Sequence, residues 1–319
     1  MIKNKAIIEY LIDYLDFLEI EKGLSSKTQE NYARFLNKFF NWLNNNDLDK
    51  LSPDRLTPKH IWKYKVFLSR HIDPKSKQTL KKSTQNYYLI ALRSLLEFFV
   101  ERGINSLSPT VVKLIKNKSQ NQVKFLTLKQ LEELLNAPNS DDIIGLRDRA
   151  ILEVLFSTGL RVKELTSLNA ESIRLPQTAK EIELSIKGKG EKVRTVYFSA
   201  RAVKHLKRYL GKRSDIDEAM FINYKHGHEK NDQSRRLSIK SIENIVKKYT
   251  HIAGLPVDAS PHTLRHSFAT DLLAQGANIR LVQEFLGHQN IATTQIYTHV
   301  TNEQLRDVHK KLHGGKRLK

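Results

Sequence analysis

His262 and Arg265 stand three residues apart, a spacing that puts both on one face of a helix and pairs a titratable imidazole with a permanently charged, forked donor. His262 and His266 are four apart, a spacing that suits zinc. No glutamate lies between them in the metalloprotease arrangement, however, and the chain has no cysteine to complete a shell, so we expect no metal. Lys187-Gly188-Lys189-Gly190 looks like a phosphate-cradling loop only superficially. It lies between two strand-like runs and lacks the Gly-Lys-Ser/Thr ending that opens a helix, so it reads as a hairpin turn presenting Lys189. In a chain this basic, one His-x-x-Arg pair is expected by chance. The ordered set is more specific: Thr158-Gly-Leu-Arg161-Val-Lys-Glu-Leu, then Gly-Lys189-Gly, then Pro261-His262-Thr-Leu-Arg265, then Leu-Gly-His288 and, nine residues on, Tyr297-Thr-His.

Together these residue types suit displacement at a phosphodiester. The reaction needs a nucleophile, proton transfer to and from oxygen, and positive charge on the non-bridging oxygens. The whole-chain charge points the same way: 54 Lys+Arg against 34 Asp+Glu gives +20, which implies a polyanionic partner. Residues 1–122 carry +9 and the remainder +11, so the basic surface is not confined to a tail. The absence of cysteine excludes disulfides, thiol nucleophiles and Fe–S clusters. There is no run of eighteen apolar residues and no signal-peptide layout at the start, so we expect a cytoplasmic protein away from membranes.

At 319 residues the chain is long enough for two domains. Apolar residues recur at helical spacing from Ile7 to Leu18, from Tyr32 to Phe40, from Ile61 to Leu68 after Pro58, and from Tyr87 to Phe99, predicting an all-α domain over 1–105. A polar stretch reads as a linker over 106–122. In 123–319, helices are expected at 127–136, 143–157, 199–210, 239–253, 261–275 and 279–286, with a short helix ending at Leu168. A strand pair, Ile182–Ile186 and Val193–Phe198, is the one β element expected. Short helices are expected around Tyr297 and after Thr301, the latter with a Thr301/Gln304 capping-box spacing and an apolar stripe of Leu305, Val308 and Leu312.

With those motifs in that order, the sequence resembles the tyrosine recombinases, and among them the Xer-type chromosome-dimer recombinases, over nearly its whole length. The resemblance implies a mainly α fold with a small antiparallel β-sheet, a helical core-binding domain and a catalytic domain closing on DNA as a two-domain clamp. It also implies cutting and rejoining of strands through a 3′-phosphotyrosine intermediate, without metal or other cofactor. By motif match Arg161 and Arg265 hold the phosphate, Lys189 protonates the leaving 5′-oxygen and Tyr297 is the nucleophile. His262 and His288 share the remaining proton and hydrogen-bond duties, their division left open. Glu164 reads as a structural partner of Arg161. Lys27, Lys81, Lys82, Arg93, Arg236 and Lys240, near helix starts or on polar faces, are candidate DNA contacts, with a solvated face almost as good an account of any one of them. The implied partners are double-stranded DNA, three further copies of the chain and a possible accessory protein, with roles in chromosome partition and cell division. Open alternatives are a phage or mobile-element integrase, a monomeric topoisomerase of the same chemistry, and a non-catalytic DNA-binding protein on this scaffold. The lack of an added domain ahead of residue 1 disfavours an arm-site-binding integrase.

Overall fold

Aromatic residues at helical spacing build the first half of the chain. Helix α1 (Leu11–Ile20) continues a 3-10 turn at Ile7–Tyr10 and buries Tyr14, Phe17 and Leu18. Helix α2 (Ser26–Asn44) contributes Leu36, Phe39, Phe40, Trp42 and Leu43. Helix α3 (Pro58–Arg70) starts at Thr57, whose hydroxyl accepts from the His60 backbone N–H, with Pro58 where its missing N–H costs nothing. Helix α4 (Lys82–Glu101) supplies Leu92, Leu95, Phe98 and Phe99. Edge-to-face contacts such as Tyr10–Phe99 at 5.1 Å and Phe39–Tyr64 at 4.9 Å lock the rings together. The computed structural model describes residues 5–74, 76–116, 125–173, 176, 178–188, 193–224, 235–288, 290 and 294. Its chain divides into two units, Met1–Gln120 and Asn121–Lys319.

The segment expected to open a linker at 106 still belongs to the helical unit through Lys116. Val112 is fully buried, and Leu107, Leu114 and Ile115 pack on the helical core. Asn86 grips Ile115 from both sides, accepting its N–H at 2.8 Å and donating to its carbonyl at 3.0 Å. Apolar residues scattered among Ser, Pro and Lys lack a helical period, so their docking was not visible as a pattern.

In the second unit, helix α6 (Ile143–Thr158) is the axle. Every residue from Gly145 to Leu155 is buried, and it packs against α5 (Leu128–Asn136), α8 (Ala200–Leu210), α9 (Ile239–Ile252) and α10 (Pro261–Ala274). A helix buried all round has no solvent face for charge, yet α6 carries four buried ionic side chains. Each is paired: Arg147 with Asp148 at 2.6 Å, Arg149 with Glu153 at 2.9 Å, and Asp148 also with the Tyr249 hydroxyl at 3.0 Å. Gly145 admits no side chain, since a Cβ there would meet the Asn139 carbonyl oxygen. The hairpin forms as expected: β1 (Ile182–Lys187) pairs antiparallel with β2 (Val193–Phe198), with Ile182 opposite Phe198 and Lys187 opposite Val193. Helices α7 (Val162–Thr166) and α11 (Ile279–Leu286) complete the described α-helices. Among the described residues no helix is long and apolar enough to cross a membrane.

Candidate active site

Gly159 closes α6 in the left-handed conformation, φ 60°, and the chain turns directly into Arg161, which caps α7. Glu164, one turn on, accepts the Arg161 backbone N–H at 2.8 Å and its Nη1 at 3.0 Å. Arg194, the second residue of β2, donates to both oxygens of the same carboxylate, at 2.9 and 2.7 Å. Both Glu164 and Arg194 are buried. Burial pushes the Glu164 carboxyl up, but the forked donors of Arg194 and those of Arg161 outweigh it and hold its pKa at about 2.

The end of α11 gathers the arginines. Its last carbonyls have no partner within the helix and lie at the negative end of the helix dipole. Three guanidinium groups fill them in succession. Arg194 Nε donates to the Phe285 carbonyl at 3.0 Å, Arg265 Nη2 to Leu286 at 2.5 Å and Arg161 Nη2 to Gly287 at 3.1 Å. Arg265, on the second turn of α10, also donates from Nη1 to the Gly159 carbonyl at 2.5 Å, tying both glycine turns together. Gly287 must lack a side chain twice over, for its φ of 61° and because a Cβ would stand 2.9 Å from Arg194 Cδ.

His288 follows directly. Its backbone N–H donates to the Gln283 carbonyl, its own carbonyl accepts from the Gln283 amide, and its Nδ1 shares a hydrogen bond of 3.0 Å with the Thr294 hydroxyl. Burial and then the nearby Arg265 and Arg161 charges press its pKa down to about 4, so the ring is neutral near pH 7. His266 is held down to about 4 by burial, His262 and Arg265.

The fold therefore brings Arg161, Arg265 and His288 into one cluster. His262 is exposed on the first turn of α10, one turn from Arg265. Lys189 and Tyr297 lie outside the described residues, as do the helices expected around Tyr297 and after Thr301. Among the DNA-contact candidates, Lys27, Lys81, Lys82 and Lys240 are exposed, with Lys27 and Lys240 ion-paired to Glu30 and Glu243 three residues on. Arg93 and Arg236 are differently placed. Arg93 donates to the Val112 carbonyl at 2.6 Å, and Arg236 to the carbonyls of Thr166 and Leu168 at 2.8 and 2.9 Å, so both brace their own units. Arg194 was missed by the sequence reading. The signal was there: in β2, positions 194, 196 and 198 face inward, and an arginine on the buried register of a strand requires a buried anion.

Residues 124–304 match the phage integrase family, and residues 11–103 match the phage integrase N-terminal SAM-like domain. The tyrosine recombinase XerC of Thermodesulfovibrio yellowstonii is 36% identical, covering 95% of this chain and 96% of its own. The tyrosine recombinase XerD of Lacticaseibacillus casei is 33% identical over 95% of this chain and 98% of its own. In structure, the XerH site-specific recombinase bound to a palindromic difH substrate, a post-cleavage complex, superimposes with a TM-score of 0.70 at 24% identity, covering 95% of this chain and 84% of that one. Motif order, fold and relatives over nearly the whole length converge: the chain belongs to the phage integrase family, as a Xer-type tyrosine recombinase, a site-specific DNA recombinase.

Proposed function

We propose that this recombinase resolves chromosome dimers, acting on double-stranded DNA as a homotetramer, with Arg161, Arg265 and His288 as its phosphate site. The observation that carries the reading is the set of guanidinium groups held by consecutive carbonyls at the end of α11 beside a neutral imidazole. Backbone acceptors hold the guanidinium groups in place, and their positive charge stabilises a phosphodiester as negative charge builds on its non-bridging oxygens. In the tautomer whose Nδ1 accepts from the Thr294 hydroxyl, His288 offers Nε2–H as an uncharged hydrogen-bond donor to phosphate. Exposed His262 is left to exchange the tyrosyl proton. The Tyr297 oxygen attacks phosphorus, a 3′-phosphotyrosine forms, and the 5′-oxygen leaves with a proton from Lys189. The ester keeps the energy of the broken bond, so religation reverses the step without a nucleotide cofactor.

Tyr297→Phe removes only the attacking oxygen. On a nicked suicide duplex it is expected to bind like the wild type and form no covalent adduct. Adducts at the wild-type level would move the nucleophile to another tyrosine. The DNA site is found by mapping where the protein binds its host chromosome, and one site near the replication terminus is the expected result.

A further inference from the structure

Arg194 has no assigned part in the reaction, yet it occupies both oxygens of the Glu164 carboxylate that Arg161 also holds. Its third donor, Nε, reaches the Phe285 carbonyl three residues before His288, and its strand returns from the hairpin segment that holds Lys189. We infer that Arg194 is a positioning residue that neutralises Glu164, so that Arg161 keeps its charge for the phosphate while β2 and the end of α11 are held in register. The inference rests on the proposed roles of Arg161 and His288.

The charge count explains why a third arginine is needed. Glu164 is buried and ionised and takes donors from Arg161 and Arg194 together. With Arg194 present, Arg161, Arg194 and Arg265 against Glu164 leave a surplus of two positive charges beside His288. Without it, the carboxylate depends on Arg161 alone, the surplus falls to one, and the Arg161 guanidinium is drawn toward Glu164. A phosphodiester entering this site gains a second charge's worth of density on its oxygens at the transition state, so the lost cation acts on the chemical step more than on binding. The geometry adds to this: Arg194 joins β2 to α11 and α7, and a displacement of about 1 Å in such a cluster costs roughly 10²-fold in rate.

The test uses the full-length protein and three variants, Arg194→Met, Arg194→Lys, and Arg194→Met combined with Glu164→Gln. Arg194→Met is expected to form adduct on the suicide duplex about 10²-fold more slowly in single turnover, with half-site affinity changed by about threefold or less. Arg194→Lys, which keeps the charge but not the fork, falls between. The double variant removes one charge of each sign and restores the surplus, so it is expected to cut within about tenfold of the wild type. Wild-type cutting by Arg194→Met, or a double variant as slow as the expected single, would reduce Arg194 to a structural brace and overturn the inference. If Arg194→Met does not fold, the double variant, which buries no unpaired carboxylate, decides alone. Should the wild type itself form no adduct, the functional reading fails. The link is then decided by nuclear magnetic resonance titration of His288 in the free protein: loss of Arg194 is expected to raise its pKa, and an unchanged titration overturns the link.

Discussion

Neutral imidazoles surrounded by cations have a consequence that needs no DNA to observe. His205, His266 and His288 each have a pKa lowered from 6.5 to about 4, in every case first by burial and then by neighbouring cationic groups. The unfolded chain binds those protons more readily, so unfolding takes up protons between pH 6.5 and about 4, and stability falls as pH falls through that window. Thermal unfolding followed from pH 7 to pH 4.5 is expected to show a falling midpoint, with a shallower fall in His205→Gln. A flat profile would mean these rings are protonated in the folded state. Lys189 is tested through the leaving group. Lys189→Ala is expected to cut an ordinary phosphodiester far more slowly, and a 5′-bridging phosphorothiolate, whose thiolate leaves without a proton, almost normally. An equal defect on both substrates would make Lys189 a binding residue. At this scale residue type and motif order single out Arg161, Arg265 and His288, three side chains that the fold places in one cluster. The sequence was silent where a guanidinium must choose between a phosphate and a carbonyl. Arg93 and Arg236 have the composition of DNA contacts and the geometry of braces, because the carbonyls they reach are distant in sequence and unmarked by any side chain.

Elements were legible where apolar spacing is regular. The hairpin strands and the helices at 128–136, 200–210 and 239–252 lie within a residue or so of expectation. The interior of α6 was not legible as such: Arg147, Asp148, Arg149 and Glu153 look like a solvent face, and it takes partners far along the chain, Ile222, Tyr249 and Arg201, besides the pairs within the helix, to make them interior residues. The turn out of α6 is the element most exposed to substitution. A Cβ at Gly159 would lie 2.5 Å from the Phe268 ring on a backbone with φ of 60°. Gly159→Ala is therefore expected to cost about 2–4 kcal/mol, the sum of left-handed strain and overpacking, and to slow cutting by moving Arg161 and the carbonyl that holds Arg265. Gly23→Ala is the control. Its φ is 59° with nothing within 4 Å of the added Cβ, so about 1 kcal/mol is expected and no effect on cutting. Urea denaturation of the two variants side by side measures the difference, and equal losses would show that Phe268 yields freely.

For the whole molecule, the segment after Tyr297 is where assembly is expected to be decided. The helix expected from the stripe of Leu305, Val308 and Leu312 lies outside the described residues; a helix of that length does not stand alone in water, so the sequence leads us to expect its stripe against its own unit or a neighbouring copy. The proposed tetramer favours the neighbour. Truncation after Val300, or Leu305→Asp with Leu312→Asp, is then expected to leave monomer binding to a half-site nearly intact while abolishing synaptic complexes and strand exchange in gel-shift and recombination assays. Wild-type recombination by either variant would remove this helix from assembly.

The carbonyls of Phe285, Leu286 and Gly287 also set a timetable. Arg194, Arg265 and Arg161 wait for acceptors 91, 21 and 126 residues away along the chain, and the Leu126 N–H waits for the Ser267 hydroxyl across 141. Contacts of such long sequence separation form late, after the entropy of closing large loops has been overcome. During synthesis the helical unit has its whole aromatic core available by Val112, whereas the arginine cluster has nothing to close on until the ribosome has passed Gly287. A growing chain is thus able to fold its first unit long before its arginine cluster can close, so the two halves of the molecule mature in the order in which they are made.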